Sequence, residues 1–371
     1  MTGPPRGGPH GYARAVADRR QRRRAVVIGA GSFGTAVSVV LARGGMRTTL
    51  QARTGEQAER LARERVNLPY LPEVVLPREL RIEPTSEGLS RADYVFLAVP
   101  SRGLDEVIAG LGDAGLRPAA AVVSLAKGLV PPDGMPPTAL LREQLGPHRV
   151  ACVGGPAHAN EMVHAGAGLV AASSDEELAR ELSRAFIAAG VVCEVSNDPV
   201  GVELAGAAKN AAALAAGATE SQGLNAAGAA AGHIFAEVWR YAEAQGDRPE
   251  SLIGLAGTGD LVATALAPQS RNRRAGELLA DGVPAGDIPG RIGQAVESLE
   301  SVPLLARALH HAGIEAPVTT ALGRLIAGGL PLDDWVGLVR TTLPPPARFG
   351  RRPTWLRRSW ERIRAWFRRG G

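Results

Sequence analysis

The sequence is poor in aromatic residues, in cysteine and, above all, in lysine. Aromatics are 4% of 371 residues while Ala, Gly, Arg and Pro run high, a bias that reflects base composition of the gene as much as function. The two cysteines, Cys152 and Cys193, lie far apart with no CxxC or Cys/His spacing. That excludes a disulfide framework and a zinc ribbon, and fits reduced, buried thiols in a cytosolic protein. No apolar run reaches the roughly 18 to 20 residues of a transmembrane helix, and no signal-peptide core follows the Arg-rich start. A cytoplasmic protein is expected. Of the 42 basic residues all are arginine except Lys127 and Lys209. Arginine stays charged at any working pH, whereas a lysine can be desolvated into the range where it exchanges protons. Both lysines are therefore marked for chemistry.

Acidic charge is scarce at the two ends, which hold only Asp18 and Glu361. Residues 1–24 carry a net +6 and residues 347–371 a net +8, so the overall +5 leaves the body at −9. The basic tails alone raise the isoelectric point, and no nucleic-acid groove is implied on the fold. The length suits two domains, since single cores seldom grow past about 250 to 300 residues.

From Ala25 to Ser196, β-rich runs ("AVVIG", "RTTLQ", "DYVFLAVP", "AAVVSLAK", "RVACVG", "GLVAAS", "VVCEVS") alternate with helical patterns. Such alternation predicts a parallel sheet covered by helices. Asp198 and Pro199 form an N-cap and first-turn pair, after which the pattern is helical to about Arg340. The expected organisation is a disordered basic arm (1–24), a dinucleotide-binding domain (25–197), a helical substrate domain (198–343), and a proline linker with a basic amphipathic tail (344–371). The fold class is an α/β Rossmann-type N-terminal domain followed by an all-α C-terminal domain.

Gly29, Gly31 and Gly34 stand in GxGxxG spacing between a strand and a helix. Glycines there allow a tight turn and close approach of a pyrophosphate to the free N–H groups of the helix start. The second strand ends in "LQART", without the acidic residue that favours NAD. Arg53 can accept a 2′-phosphate, so NADPH/NADP is preferred, with NADH/NAD also usable. Lys127 follows a strand, where an open α/β sheet places its ligand crevice. Lys209 sits in "GVELAGAAKNAAALAAG", with small neighbours and no acid within a helical turn. Desolvation suits it to donate a proton to a carbonyl oxygen. Ser270, Arg271 and Asn272 in "SRNRR" form a cradle for a phosphate monoester, and Asp260 precedes them.

With "GAGSFGTA", "NLPYLP", "AVPS", "AKGL", "GGPAHANE", "GVELAGAAKN", "GLAGTGDL", "SRNRR" and "IGQAVES" in order, the chain resembles bacterial-type NAD(P)-dependent glycerol-3-phosphate dehydrogenase from about Ala25 to Trp335. The resemblance implies a cytoplasmic homodimer acting on a small phosphorylated substrate. It gives Lys209 the acid/base role, Lys127 contact with substrate and cofactor, and Gly155 and Asp260 contact with substrate. Ser270, Arg271 and Asn272 would hold the substrate phosphate and the cofactor. Ser32, Phe33, Arg53, Ala159, Ala295 and Glu297 would touch the cofactor. Two departures stand out. "GPAHA" replaces the family's usual "GPSFA" or "GPTFA", so Ala157 on the substrate side lacks a hydroxyl and His158 replaces an aromatic. "TESQG" replaces "SDGLG" and brings in Glu220 and Ser221. A related dehydrogenase for another phosphorylated or acidic carbonyl compound is the alternative these leave open. A catalytically weak dinucleotide-sensing or membrane-tethered scaffold is the other, and retention of both lysines argues against it.

The tail "TWLRRSWERIRAWFRRGG" lies outside the resemblance. Leu356, Trp360, Ile363 and Phe367 recur at helical spacing, while Arg357, Arg358, Arg362, Arg364, Arg368 and Arg369 supply charge. Trp355, Trp360 and Trp366 suit a headgroup boundary. Peripheral contact with an anionic membrane through residues 347–371 is expected.

Overall fold

The computed structural model describes residues 23–343, apart from 86–87, 147–148, 247 and 268–269. Nearly all of the N-terminal arm, and the whole of the tail 347–371, lie outside the described residues. One compact unit ends at Arg340 and a second begins at Thr341.

The first half alternates strand and helix: β1 (Arg24–Ile28), α1 (Ser32–Arg43), β2 (Arg47–Ala52), α2 (Gly55–Glu64), β3 (Val66–Asn67), β4 (Leu71–Val75), β5 (Arg81–Pro84) and β6 (Tyr94–Leu97). It continues with α3 (Leu104–Leu111), β7 (Ala121–Ser124), α4 (Pro137–Leu145), β8 (Arg149–Gly154), α5 (Ala159–His164), β9 (Gly168–Ala172), α6 (Glu176–Ala188) and β10 (Val192–Ser196). Eight strands form one sheet in the order β10-β9-β8-β7-β6-β1-β2-β5, and β3 and β4 form a separate hairpin. Strand β1 is apolar on both sides because both are covered. Ala25 and Val27 join the core under α1, while Val26 and Ile28 join Leu104, Ile108 and Leu141 on the opposite face.

All seven β-rich runs read from the sequence are strands of this sheet. Its parallel character breaks once, because β8 and β9 pair antiparallel. Gly155 takes φ +107° immediately after β8 and lies against the start of β9, where an added Cβ would stand 2.5 Å from the Gly168 carbonyl oxygen. The chain thus turns back beside itself, which an antiparallel pair permits without a full crossover. The sequence pattern also passes over β5, "RIEP", an edge strand whose charges and proline mask its pairing with β2.

From Pro199 the chain is helical: α7 (Pro199–Thr219), α8 (Leu224–Gln245), α9 (Asp260–Leu266), α10 (Arg271–Ala280), α11 (Ile288–Ile292), α12 (Glu297–His311), α13 (Pro317–Ile326) and α14 (Leu332–Thr341). Asp198 caps α7, its Oδ1 accepting from the Gly201 amide at 2.9 Å. Helix α7 is buried on every side except at Val200 and Ala216. Its alanines and glycines make this feasible, because neighbours can reach its backbone. At Gly217 and at Gly276 of α10 a Cβ would collide with the facing carbonyl oxygens of Arg273 and Leu214. Helix α7 therefore forms the axis against which the other site elements are set.

Candidate active site

After β1 the chain runs outward through β2 to β5, then returns to β6 on the other flank of β1. The loops after β1 and β6 diverge there, which opens a crevice at the carboxyl ends of these strands. The glycine loop occupies it. Gly29 takes φ +115°, and a Cβ on it would meet the Ala98 carbonyl after β6. Gly34 packs on Gly29, whereas Gly31 has nothing within 4 Å of its missing Cβ. Helix α1 starts after Gly31 without a side-chain cap. The β3–β4 hairpin steadies this loop. The Asn67 amide donates to the Ala30 carbonyl at 3.0 Å and to Thr35 Oγ1 at 2.8 Å, and Ser32 Oγ donates to the Tyr70 carbonyl at 2.7 Å.

The two lysines meet on one carboxylate. Lys127 Nζ lies 3.2 Å from Asp260 Oδ2 and Lys209 Nζ 3.3 Å from Asp260 Oδ1. Lys127 also donates to the Gly155 carbonyl at 3.1 Å and stands 5.4 Å from the centre of the Phe33 ring. Lys209 donates to Thr264 Oγ1 at 3.2 Å. Asp260 opens α9, and only 2% of it is exposed. Burial pushes the Lys209 ammonium below the ordinary lysine range and Lys127 pushes the same way, while Asp260 and Glu297 pull against them. Burial would raise Asp260, yet the two ammonium groups outweigh it and hold the carboxyl below its usual range. One buried anion thus steadies two cations, of which Lys209 is primed to lose its proton.

Around this triad a second network ties down the backbone. Asn210 donates to the Lys127 carbonyl at 3.3 Å and to Glu297 Oε2 at 3.0 Å, and accepts from the Asn272 amide at 2.8 Å. Asn272 Oδ1 in turn accepts from the Ser298 amide at 3.2 Å. Ser270 caps α10, and the exposed Arg271 donates to the Ala295 carbonyl at 3.0 Å. Gly155, Lys127 and Asp260 line one small hollow, together with Cys152, Glu203 and Gly206. Ser32, Ala159 and His158 line a neighbouring cleft with Tyr70, Glu73 and Gln294. Ala157 is buried, and the exposed Arg53 follows the end of β2. His158 Nε2 is sealed from solvent without a hydrogen-bond partner.

Sequence reading missed Asn210 and Thr264. Asn210 directly follows Lys209, and Thr264 lies one helical turn after Asp260 on α9. Their adjacency to residues already marked was the available signal.

The family description "NAD-dependent glycerol-3-phosphate dehydrogenase N-terminus" matches residues 24–179, and its C-terminus counterpart matches residues 198–337. The chain belongs to this dehydrogenase family. A curated glycerol-3-phosphate dehydrogenase (NAD(P)+) of Deinococcus radiodurans is 38% identical over 313 residues, covering 81% of this chain and 90% of its own. One from Thermus thermophilus is 39% identical, covering 83% and 94%. The crystal structure of the Coxiella burnetii glycerol-3-phosphate dehydrogenase superposes with a TM-score of 0.81 at 28% identity, covering 87% of this chain and all of that one.

The residues of this family member fit a dinucleotide. The open space at Gly31 and the uncapped start of α1 are the features a pyrophosphate needs. Arg53 is exposed just beyond the tip of β2.

Proposed function

We propose that this chain reduces dihydroxyacetone phosphate to sn-glycerol 3-phosphate with NADPH, runs in reverse with NADP, and accepts NADH/NAD as a second pair. The observation that carries the reading is the pair of lysines on one buried aspartate, beside the glycine-loop crevice. The bound nicotinamide supplies the hydride. Lys209 donates its proton to the carbonyl oxygen as negative charge develops there, and in the reverse direction removes the hydroxyl proton. Lys127 and Asp260 orient the substrate beside Gly155 and Ala157, while Ser270, Arg271 and Asn272 take its phosphate. Gly29, Gly31, Ser32, Phe33 and Gly34 take the pyrophosphate side of the cofactor. Arg53 takes a 2′-phosphate, and Lys127, Ala159, Arg271, Ala295 and Glu297 complete the cofactor's surroundings. The test is NADPH and NADH oxidation by purified protein with and without dihydroxyacetone phosphate. Substrate-dependent oxidation is expected, and its absence with both cofactors would overturn the reading.

The product is a precursor for phospholipid synthesis. We propose that residues 347–371 bring the enzyme to an anionic membrane surface from the cytoplasm, and that it works as a homodimer. The amphipathic spacing and arginine content of the tail support the first point, and the family resemblance supports the second. Among the described residues no helix is long and apolar enough to cross a membrane.

A further inference from the structure

Helix α10 carries the proposed phosphate cradle, and its aim depends on how it is turned about its own axis. Two adjacent residues of its first turn reach α7 in opposite directions. Asn272 donates to Asn210 at 2.8 Å, near the middle of α7. Arg273 reaches the far end, where Nη2 donates to Glu220 Oε1 at 2.6 Å and Nε to Glu220 Oε2 at 3.2 Å. Asn210 and Glu220 stand about 15 Å apart along the helix axis at 1.5 Å per residue. Between them the Arg273 backbone presses on Gly217 so closely that no Cβ fits. Contacts pulling from both ends of a rigid helix fix the rotation of α10, and with it the direction of the neighbouring Arg271.

Glu220 belongs to neither the lysine pair nor the cradle. It begins the short 3-10 turn Glu220–Gln222 between α7 and α8, and its carboxyl is held below the usual range by the hydrogen-bonded Arg273. The same ion pair, with Glu277 3.2 Å from Arg273 Nε, neutralises the Arg273 guanidinium. Of the three arginines in "SRNRR", Arg273 is thereby committed to the protein, and of the other two the proposed function gives the phosphate to Arg271. We propose that Glu220 is a positioning residue of the phosphate cradle: by engaging Arg273 bidentately it sets the rotation of α10 and so the affinity for the phosphate group, without touching the reacting atoms. This inference rests on the proposed function, because it takes "SRNRR" as the phosphate site.

The test uses wild type, Glu220→Gln and Glu220→Asp. Glu220→Gln should raise KM for dihydroxyacetone phosphate about three- to five-fold, the scale of a partly exposed ion pair. Its kcat, and its kcat/KM for unphosphorylated dihydroxyacetone, should stay close to wild type. The rise in melting temperature caused by inorganic phosphate should shrink in parallel, and Glu220→Asp should recover part of both effects. Unchanged KM together with an unchanged phosphate-induced rise would overturn the inference, as would equal losses on both substrates. If wild type does not reduce dihydroxyacetone phosphate, the proposed activity fails, and the inorganic phosphate comparison still decides the role of Glu220.

Discussion

Lys127 and Lys209 bind opposite oxygens of the same carboxylate, at 3.2 and 3.3 Å from Asp260. Asp260 is the element of the site that neither lysine can replace. In Asp260→Asn two ammonium groups would face each other across a neutral amide, in surroundings that already disfavour charge on Lys209. The Lys209 pKa then falls further, so the proton donor is lost at lower pH. For dihydroxyacetone phosphate reduction, the alkaline limb of the kcat profile should move to lower pH in Asp260→Asn, with turnover reduced about 100-fold or more. A limb that stays in place would show that Asp260 does not set the protonation of Lys209.

Much of this arrangement was legible in the sequence, for a physical reason that also marks where legibility ends. A lysine in a chain of arginines, or a glycine at a strand-to-helix turn, is informative by its chemistry alone. Partnerships across the fold are not. Lys209 has no acid within a turn of its own helix, and its counter-charge arrives from α9 only when α7 is buried. Asn210 reads as a polar residue in an alanine helix until the Lys127 carbonyl, Glu297 and Asn272 converge on it. The antiparallel step at β9 escaped because strand periodicity carries no direction, and only the turn at Gly155 reveals it.

Arg53 is proposed to receive a 2′-phosphate, and its removal tests the choice between the two nicotinamide cofactors. Arg53→Ala should weaken NADPH by about 1 to 3 kcal/mol, the scale of a charge-assisted hydrogen bond, and leave NADH nearly unchanged. Dissociation constants from cofactor fluorescence would check this. Equal losses for both would indicate damage to the β2 tip instead.

Glu203 makes the stability of the fold fall with rising pH. Burial raises its carboxyl from 4.5 to about 8, against the opposing hydrogen bonds it accepts from Thr138. A carboxyl raised by folding contributes stability that is full below its unfolded pKa and lost as pH climbs through the folded value. Wild type should therefore lose thermal stability relative to Glu203→Gln as pH rises from about 4.5 to about 8, with the gap levelling off above that. Melting curves at several pH values would show the gap between the two proteins changing in favour of the amide. A constant gap would contradict the assignment.

The basic tail should confer reversible binding to anionic vesicles, with each arginine near the surface adding about 1 kcal/mol. Truncation after Pro346 should abolish co-sedimentation and leave turnover in solution largely intact, and added salt should weaken binding of the full chain. Equal pelleting of the two proteins, or none by either, would reject a membrane role.

Lys209 is proposed as the proton donor to the substrate carbonyl. The most direct test of that role is turnover of dihydroxyacetone phosphate by Lys209→Arg, measured beside NADPH binding by the same protein. Arginine keeps the positive charge on Asp260 but cannot release a proton near neutral pH. A loss of about 100-fold or more in kcat is expected, with NADPH affinity preserved. Turnover near the wild-type rate would contradict it.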